Sequence, residues 1–181
     1  MSGSFESNRF WRFAANEAHG RVQVFVTFYR GGWRPYCNID LQAIEESATE
    51  IRMQGASLVA ISQQMPANSL RSQRDNRLSF PILSDHGGRV VKAFGIRWDL
   101  PEYLQAAFKM FKIDLASVNG EPSWTLPMPG RFIIGTNGVI VYAEINPDYT
   151  HRPDPGELLP ILEKLKLALL HKAQSSKKTK H

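Results

Sequence analysis

The chain carries one cysteine, Cys37, within Phe28-Tyr29-Arg30-Gly31-Gly32-Trp33-Arg34-Pro35-Tyr36-Cys37-Asn38. This segment joins an apolar run, Val22 to Tyr29, to an amphipathic stretch that starts near Pro35. The thiol is therefore expected in the first turn of a helix fed by a buried strand. The unpaired N–H groups of such a turn favour negative charge, which stabilises a thiolate and suits it to nucleophilic or redox chemistry. A lone cysteine is more often an inert, small, buried hydrophobe. Here Gly31-Gly32 and Pro35, which suits a first helical position, mark a strand-to-helix junction, where functional groups of open α/β sheets gather. A residue 37 sealed among apolar side chains and remote from a helix start would remove the redox reading.

The elements that must position this thiol follow from periodicity. Phe10, Trp11, Phe13, Ala14 and Ala18 suit a short amphipathic helix closed by Gly20. Val22–Tyr29 reads as a central strand. Leu41, Ile44, Ala48 and Ile51 lie at helical spacing across 38–54, and Gly55 ends that helix. Residues 57–62 read as a second buried strand. After Pro66, Asn68 or Ser69 can cap a polar helix reaching about Arg77. Phe80–Leu83 is extended, Asp85-His86-Gly87-Gly88 a plain turn, and 89–94 a short helix. The stretch 98–128 reads as an insertion. Its helix, 101–111, carries Leu104, Phe108 and Phe111 on one side, and a proline-bearing loop follows over 114–129. Thr136-Asn137-Gly138 between β-rich runs marks a hairpin. Asp154-Pro155-Gly156-Glu157 opens a last helix with a capping box, and Leu158, Ile161, Leu162, Leu165 and Leu169 form its apolar stripe. The order implies an α/β fold: a central mixed sheet, its first two long strands parallel, flanked by helices on both faces.

At 181 residues with 43% hydrophobic content, the chain suits one domain with a real core, placed at 1–172. The net charge of +5 is concentrated in Lys172, Lys177, Lys178 and Lys180. The tail 173–181 is basic and polar, and is expected to be disordered. Its lysines have no interleaved aromatic residues, which argues against nucleic acid. No apolar run is long enough to span a bilayer, and the first twelve residues lack the apolar core of a secretory signal. One cysteine permits no intrachain disulfide and suits a reducing, cytoplasmic setting. The five histidines show no metal-ligand spacing, so neither metal nor cofactor is expected. Gly31-Gly32 lacks the ending of a phosphate loop.

FYRGGWRPYCN at 28–38, LVAISQQMPANS at 58–69, FPILSD at 80–85, SWTLPMPGRFII at 123–134 and NPDYTHRPDP at 146–155 together resemble the peroxiredoxin-like branch of the thioredoxin-fold superfamily. This is the alkyl hydroperoxide reductase/thiol-specific antioxidant group, whose phrase is like FYRGxWCPYCN. The resemblance covers most of 22–170. It implies a thioredoxin-like fold and an antioxidant oxidoreductase activity. In that reading Cys37 takes the reactive position, and Pro129 matches a proline that is usually cis. Three departures stand out. Arg34 occupies the place of a first motif cysteine, Arg131 that of a usual Thr, and Gly135 that of a usual Asp.

The resemblance implies peroxide reduction, in which a thiolate attacks one oxygen while donors stabilise the departing oxyanion. The substrate would be hydrogen peroxide or a small alkyl hydroperoxide. Arg34 either supports the thiolate and binds the peroxide or extends into water. Trp33, Pro35 and Tyr36 are candidates for the substrate wall. Pro129 and Arg131 share a strand face, and Arg131 reads as a cationic helper beside Cys37, a solvated side chain, or a partner of Asp148. Attack leaves a sulfenic acid that no second cysteine can resolve. Recycling then needs an outside thiol, such as glutathione or a thioredoxin-type reductant, or a Cys37–Cys37 bridge in a homodimer. The competing readings are a catalytically degenerate thioredoxin-fold binding module and a thiol redox sensor.

Overall fold

A computed structural model describes residues 23–146, 148 and 154–178. The expected helix at 10–18, the residues before Gln23 and Tyr149 lie outside the described residues. β1 (Gln23–Phe28) is buried along its whole length, as a central strand must be. It runs parallel to β2 (Ala56–Ser62), with Val26 opposite Val59. On its other side it pairs antiparallel with β6 (Gly130–Ile134), Val26 opposite Phe132. β3 (Ile82–Ser84) joins β2 in parallel, and β7 (Ile140–Ile145) closes the hairpin with β6. The sheet order is β3-β2-β1-β6-β7, the mixed sheet expected.

Alternation along the strands builds two cores. Phe25, Tyr29, Leu58, Ala60 and Ile133 face α1 (Pro35–Glu46), α2 (Ala48–Met53) and the last helix. Val24, Val26, Phe28, Val59, Ile61 and Phe132 face the opposite side, where α4 (Arg89–Ala93) supplies Val90 and Val91. Helices thus cover both faces. The expected single helix over 38–54 is two helices, broken at Ser47. Leu41, Ile44, Ala48 and Ile51 still enter one cluster, so the turn keeps the apolar stripe.

α3 (Pro66–Asp75) begins without the expected caps. Pro66 fixes the first helical φ itself, which frees Asn68 and Ser69 for tertiary bonds. Asn68 donates to the Val118 carbonyl at 3.0 Å, and the Ser69 and Ser84 hydroxyls meet at 2.8 Å. The Asp85–Gly88 turn also does more than reverse the chain. Asp85 is buried, and its carboxylate accepts from the Val90 and Val91 N–H groups at 3.0 and 2.8 Å, capping α4.

The insertion holds β4 (Arg97–Asp99), α5 (Glu102–Met110), α6 (Leu115–Asn119) and β5 (Thr125–Pro127). The expected loop over 114–129 is therefore partly regular. Asp114 accepts from Ser117 N–H at 3.0 Å to start α6. β5 pairs only with β4, and a two-stranded ribbon tolerates Pro127 because one side of each strand needs no donor. Phe111 is exposed rather than aligned inward with Leu104 and Phe108. Leu100, Leu115 and Leu126 form a satellite cluster with Trp33, Trp98, Phe108 and Trp124, so the insertion packs onto the turn before α1.

At the C-terminal end, Asp154 accepts from Gly156 N–H at 2.8 Å. A 3₁₀ turn, Pro155–Leu158, then leads into α7 (Leu159–Lys178). Leu158 and Leu162 are buried as expected. The helix continues to Lys178 beyond the basic boundary at 172, since no glycine or proline follows Pro160, which sits in its first turn, to stop it. Among the described residues no helix is long and apolar enough to cross a membrane.

Leu126→Ala should cost about 3 kcal/mol by opening a cavity in the satellite cluster. Urea unfolding should show a lower midpoint, and tryptophan emission should shift to the red because Trp33, Trp98 and Trp124 all report this cluster.

Candidate active site around Cys37

The site is built where β1 leaves the sheet. Tyr29 N–H donates to the Ile61 carbonyl at 3.1 Å, carrying the parallel ladder one residue past β1. The chain then turns at Gly31, whose φ is +154°. A Cβ there would lie 2.2 Å from the Trp33 indole nitrogen, so only glycine fits. Two side-chain amides clamp the next residue. Gly32 N–H donates to Gln64 Oε1 at 3.0 Å, and Asn38 Nδ2 donates to the Gly32 carbonyl at 2.8 Å. Arg34 is the extended N-cap, Pro35 opens the helix, and Cys37 is its third residue.

Cys37 is thus in the first turn of α1, as expected, but it points into the core and is only 2% exposed. Its N–H is committed to the Arg34 carbonyl at 3.0 Å. Its cluster includes Phe25, Tyr29 and Leu41. Tyr29, fully buried, is the polar member. Its hydroxyl accepts from Gln64 Nε2 at 3.1 Å, and the same nitrogen reaches Ser62 Oγ at 3.3 Å. Burial pushes the Tyr29 phenol up to about 12. Hydrogen bonds with Ser62, Ser72 and Gln64 pull against this, and negative charge at Cys37 adds to it. The phenol therefore stays protonated throughout the neutral range.

The remaining residues singled out in the sequence fall into two sets. Trp33 is half-buried, edge-on to Phe108 at 5.5 Å, and Arg34 lays its guanidinium over the Trp33 ring at 5.5 Å. Pro35 is exposed and Tyr36 is 52% exposed, so Tyr36 does not seal the thiol as a wall would. On the sheet side, Pro129 is buried just before β6. The resemblance implied a cis bond there, but no peptide bond among the described residues is cis. Met128 N–H donates to the Ile96 carbonyl at 2.8 Å, so the insertion fixes the approach to Pro129.

Arg131 corrects the reading of a solvated side chain. It is 4% exposed, and its guanidinium donates to Asp40 Oδ1 at 2.5 Å. Asp40 lies three residues after Cys37, on the same face of α1. That spacing was visible in the sequence, yet nothing local assigned Asp40 a cation. Tyr29 and Gln64 were likewise not singled out. Their positions at the carboxyl ends of β1 and β2, where ligands of open α/β sheets bind, were the available signal. Among the described residues, no group of three His, Cys, Asp or Glu side chains converges to hold a metal ion.

The model of the AhpC/TSA family matches residues 8–143 of this chain. The chain belongs to the AhpC/TSA family. Among curated relatives of this AhpC/TSA chain, chloroplastic peroxiredoxin Q of Oryza sativa subsp. japonica is 27% identical over 142 residues, which is 78% of this chain and 55% of the relative. The chain thus spans about half the length of the curated relatives it matches first. Solved structures share its fold. A cysteine-to-serine mutant of peroxiredoxin 6 of Arenicola marina superposes with a TM-score of 0.64 at 15% identity, covering 85% of this chain and 65% of that one. The peroxidoxin BcpB of Mycobacterium tuberculosis gives 0.60 at 18% identity, covering 83% and 82%. These likenesses bear out the thioredoxin-like architecture read from the sequence.

Two outcomes test the geometry of this AhpC/TSA site. Arg131→Met leaves the Asp40 carboxylate buried without its cation and should cost about 3–5 kcal/mol in urea unfolding; the double variant with Asp40→Leu should recover most of that loss. Tyr29 has a folded pKa above its unfolded one, so its contribution is complete below about pH 10 and is lost as pH rises through about 12. Unfolding free energies measured from about pH 9 to about pH 12 should fall by about 2–3 kcal/mol more for the parent than for Tyr29→Phe.

Proposed function

We propose that this chain reduces hydrogen peroxide or a small alkyl hydroperoxide by a one-cysteine cycle, with Cys37 as the peroxidatic nucleophile and an external thiol as reductant. The observation that carries this reading is the position of the chain's sole thiol. It lies in the first turn of α1, at the carboxyl end of the central strand, in a chain of the AhpC/TSA family.

In this mechanism the Cys37 thiolate attacks one peroxide oxygen and the O–O bond breaks. The sulfur gains that oxygen as a sulfenic acid, and the departing alkoxide or hydroxide takes a proton to leave as alcohol or water. A first external thiol condenses with the sulfenic acid, giving a mixed disulfide and water. A second thiol attacks that disulfide, releasing the external disulfide and regenerating Cys37. The positive end of α1 and the Arg34 guanidinium supply the potential that favours anionic sulfur and the developing oxyanion. Tyr29, held protonated, is a donor beside the sulfur. Trp33, Pro35 and Tyr36 form the approach. Pro129 bounds the sheet side, and Arg131 acts through Asp40 as a positioning residue. The reducing cytoplasm is the setting this chemistry fits, with glutathione or a thioredoxin-type protein as reductant and a Cys37–Cys37 bridge between two copies as the competing route.

The 2% exposure of Cys37 favours a second reading, a degenerate binding module with an inert core thiol. A peroxide assay with added dithiothreitol, followed by intact mass, separates the two. The parent should consume peroxide and gain one oxygen at Cys37, while Cys37→Ser falls to background. Equal rates for the two proteins, or alkylation of Cys37 only after unfolding, would establish the inert reading.

A further inference from the structure

Beside the Gly31–Asn38 turn lies a cleft of about 500 Å³, bounded by α1 and α3, that the thiol itself does not line. Its floor is preassembled from side-chain amides. Asn76 Nδ2 donates to Asn38 Oδ1 at 3.1 Å and to the Ser72 carbonyl at 2.8 Å, while Asn76 Oδ1 accepts from Gln42 Nε2 at 3.2 Å. These bonds use up Asn76 but leave Gln42, which lines the cleft, with its Oε1 as an acceptor. Asn68, whose nitrogen is bonded to Val118, likewise has its oxygen left. The rim carries one charge of each sign. Arg71 and Asp75 sit one turn apart on α3, both exposed, with no ion-pair partner among the described residues. Trp33 adds an apolar wall.

The chemistry of this lining selects a class of ligand. A cleft with one cation and one anion has no net attraction for a phosphate, and its amide floor offers nothing to an alkyl chain. Its volume is in the range of small-molecule sites. Side-chain amide oxygens accept peptide N–H groups, Arg71 suits a carboxylate, and Asp75 suits an ammonium group. The cleft is also linked to the surroundings of the thiol. Asn38 directly follows Cys37, and Gln64 both lines the cleft and donates to the Tyr29 hydroxyl beside Cys37.

We propose that the cleft between α1 and α3 binds a peptide thiol of two or three residues that bears both carboxylate and ammonium groups, the external reductant of Cys37. This rests on the one-cysteine reading for its redox role, though not for its binding role. Arg71 takes the ligand carboxylate, Asp75 its ammonium, and the amide floor its peptide groups.

Glutathione is the probe for turnover, and S-methylglutathione, which cannot react, is the probe for binding. S-methylglutathione titrated calorimetrically into Cys37→Ser should bind saturably, and Arg71→Ala or Asp75→Asn in that background should each weaken binding about tenfold. In the Cys37-containing protein, each substitution should lower kcat/KM for glutathione relative to that for dithiothreitol by about tenfold, whereas Arg74→Ala, exposed on the same helix outside the cleft, should leave the ratio unchanged. Dithiothreitol-driven turnover without saturable S-methylglutathione binding at millimolar concentration overturns the cleft proposal alone. So does unaltered binding in both rim variants. Absence of turnover with either thiol overturns the peroxidase reading and the reducing role with it.

Discussion

A guanidinium and a carboxylate meet beneath α1, both withdrawn from water. Taking Arg131 and Asp40 out of solvent is costly, and their contact at short range offsets that cost. Its structural effect is rotational. Asp40 shares a helix face with Cys37, Leu41 and Ile44, so anchoring it to β6 commits that face to the sheet. The flank of the helix is held by its own hydrogen bonds. Asn38 and Gln42 are turned toward α3, where they meet Asn76. The buried ion pair thus commits the thiol's face to the sheet, and the Asn76 bonds hold the polar lining of the neighbouring cleft.

The turn before α1 supplies the second constraint. Gly31 permits a close approach of the Trp33 indole, and the Gln64 and Asn38 amides hold Gly32 from both sides. Gln64 belongs equally to the Tyr29 hydroxyl, so the loop clamp and the surroundings of the thiol share a residue. The insertion adds weight from outside, because its apolar cluster includes Trp33. A glycine turn, side-chain amides and a satellite core converge on the few residues that precede Cys37.

What the sequence revealed and what it hid divide by range. Gly31-Gly32, Pro35 and the runs beside them act locally, and they located both the strand-to-helix junction and the thiol's helical position. Asn137-Gly138 fixed the hairpin for the same reason. The Arg131–Asp40 pair joins residues 91 positions apart, and no local pattern marks it. Three prolines made 114–129 read as loop, although an isolated ribbon accepts Pro127. The residues of α3 read only as a polar helix. Only the approach of α1 turns Ser72 and Asn76 inward and makes a cleft of that face.

Arg34 carries a final implication. It begins α1 through its extended backbone and makes no side-chain cap, so the helix start depends on its main chain and on Pro35. The side chain rests outside, over Trp33. The side chain at this position therefore places no demand on the scaffold that holds Cys37. Position 34 thus contributes its main chain to the architecture, and its side chain can vary without moving Cys37.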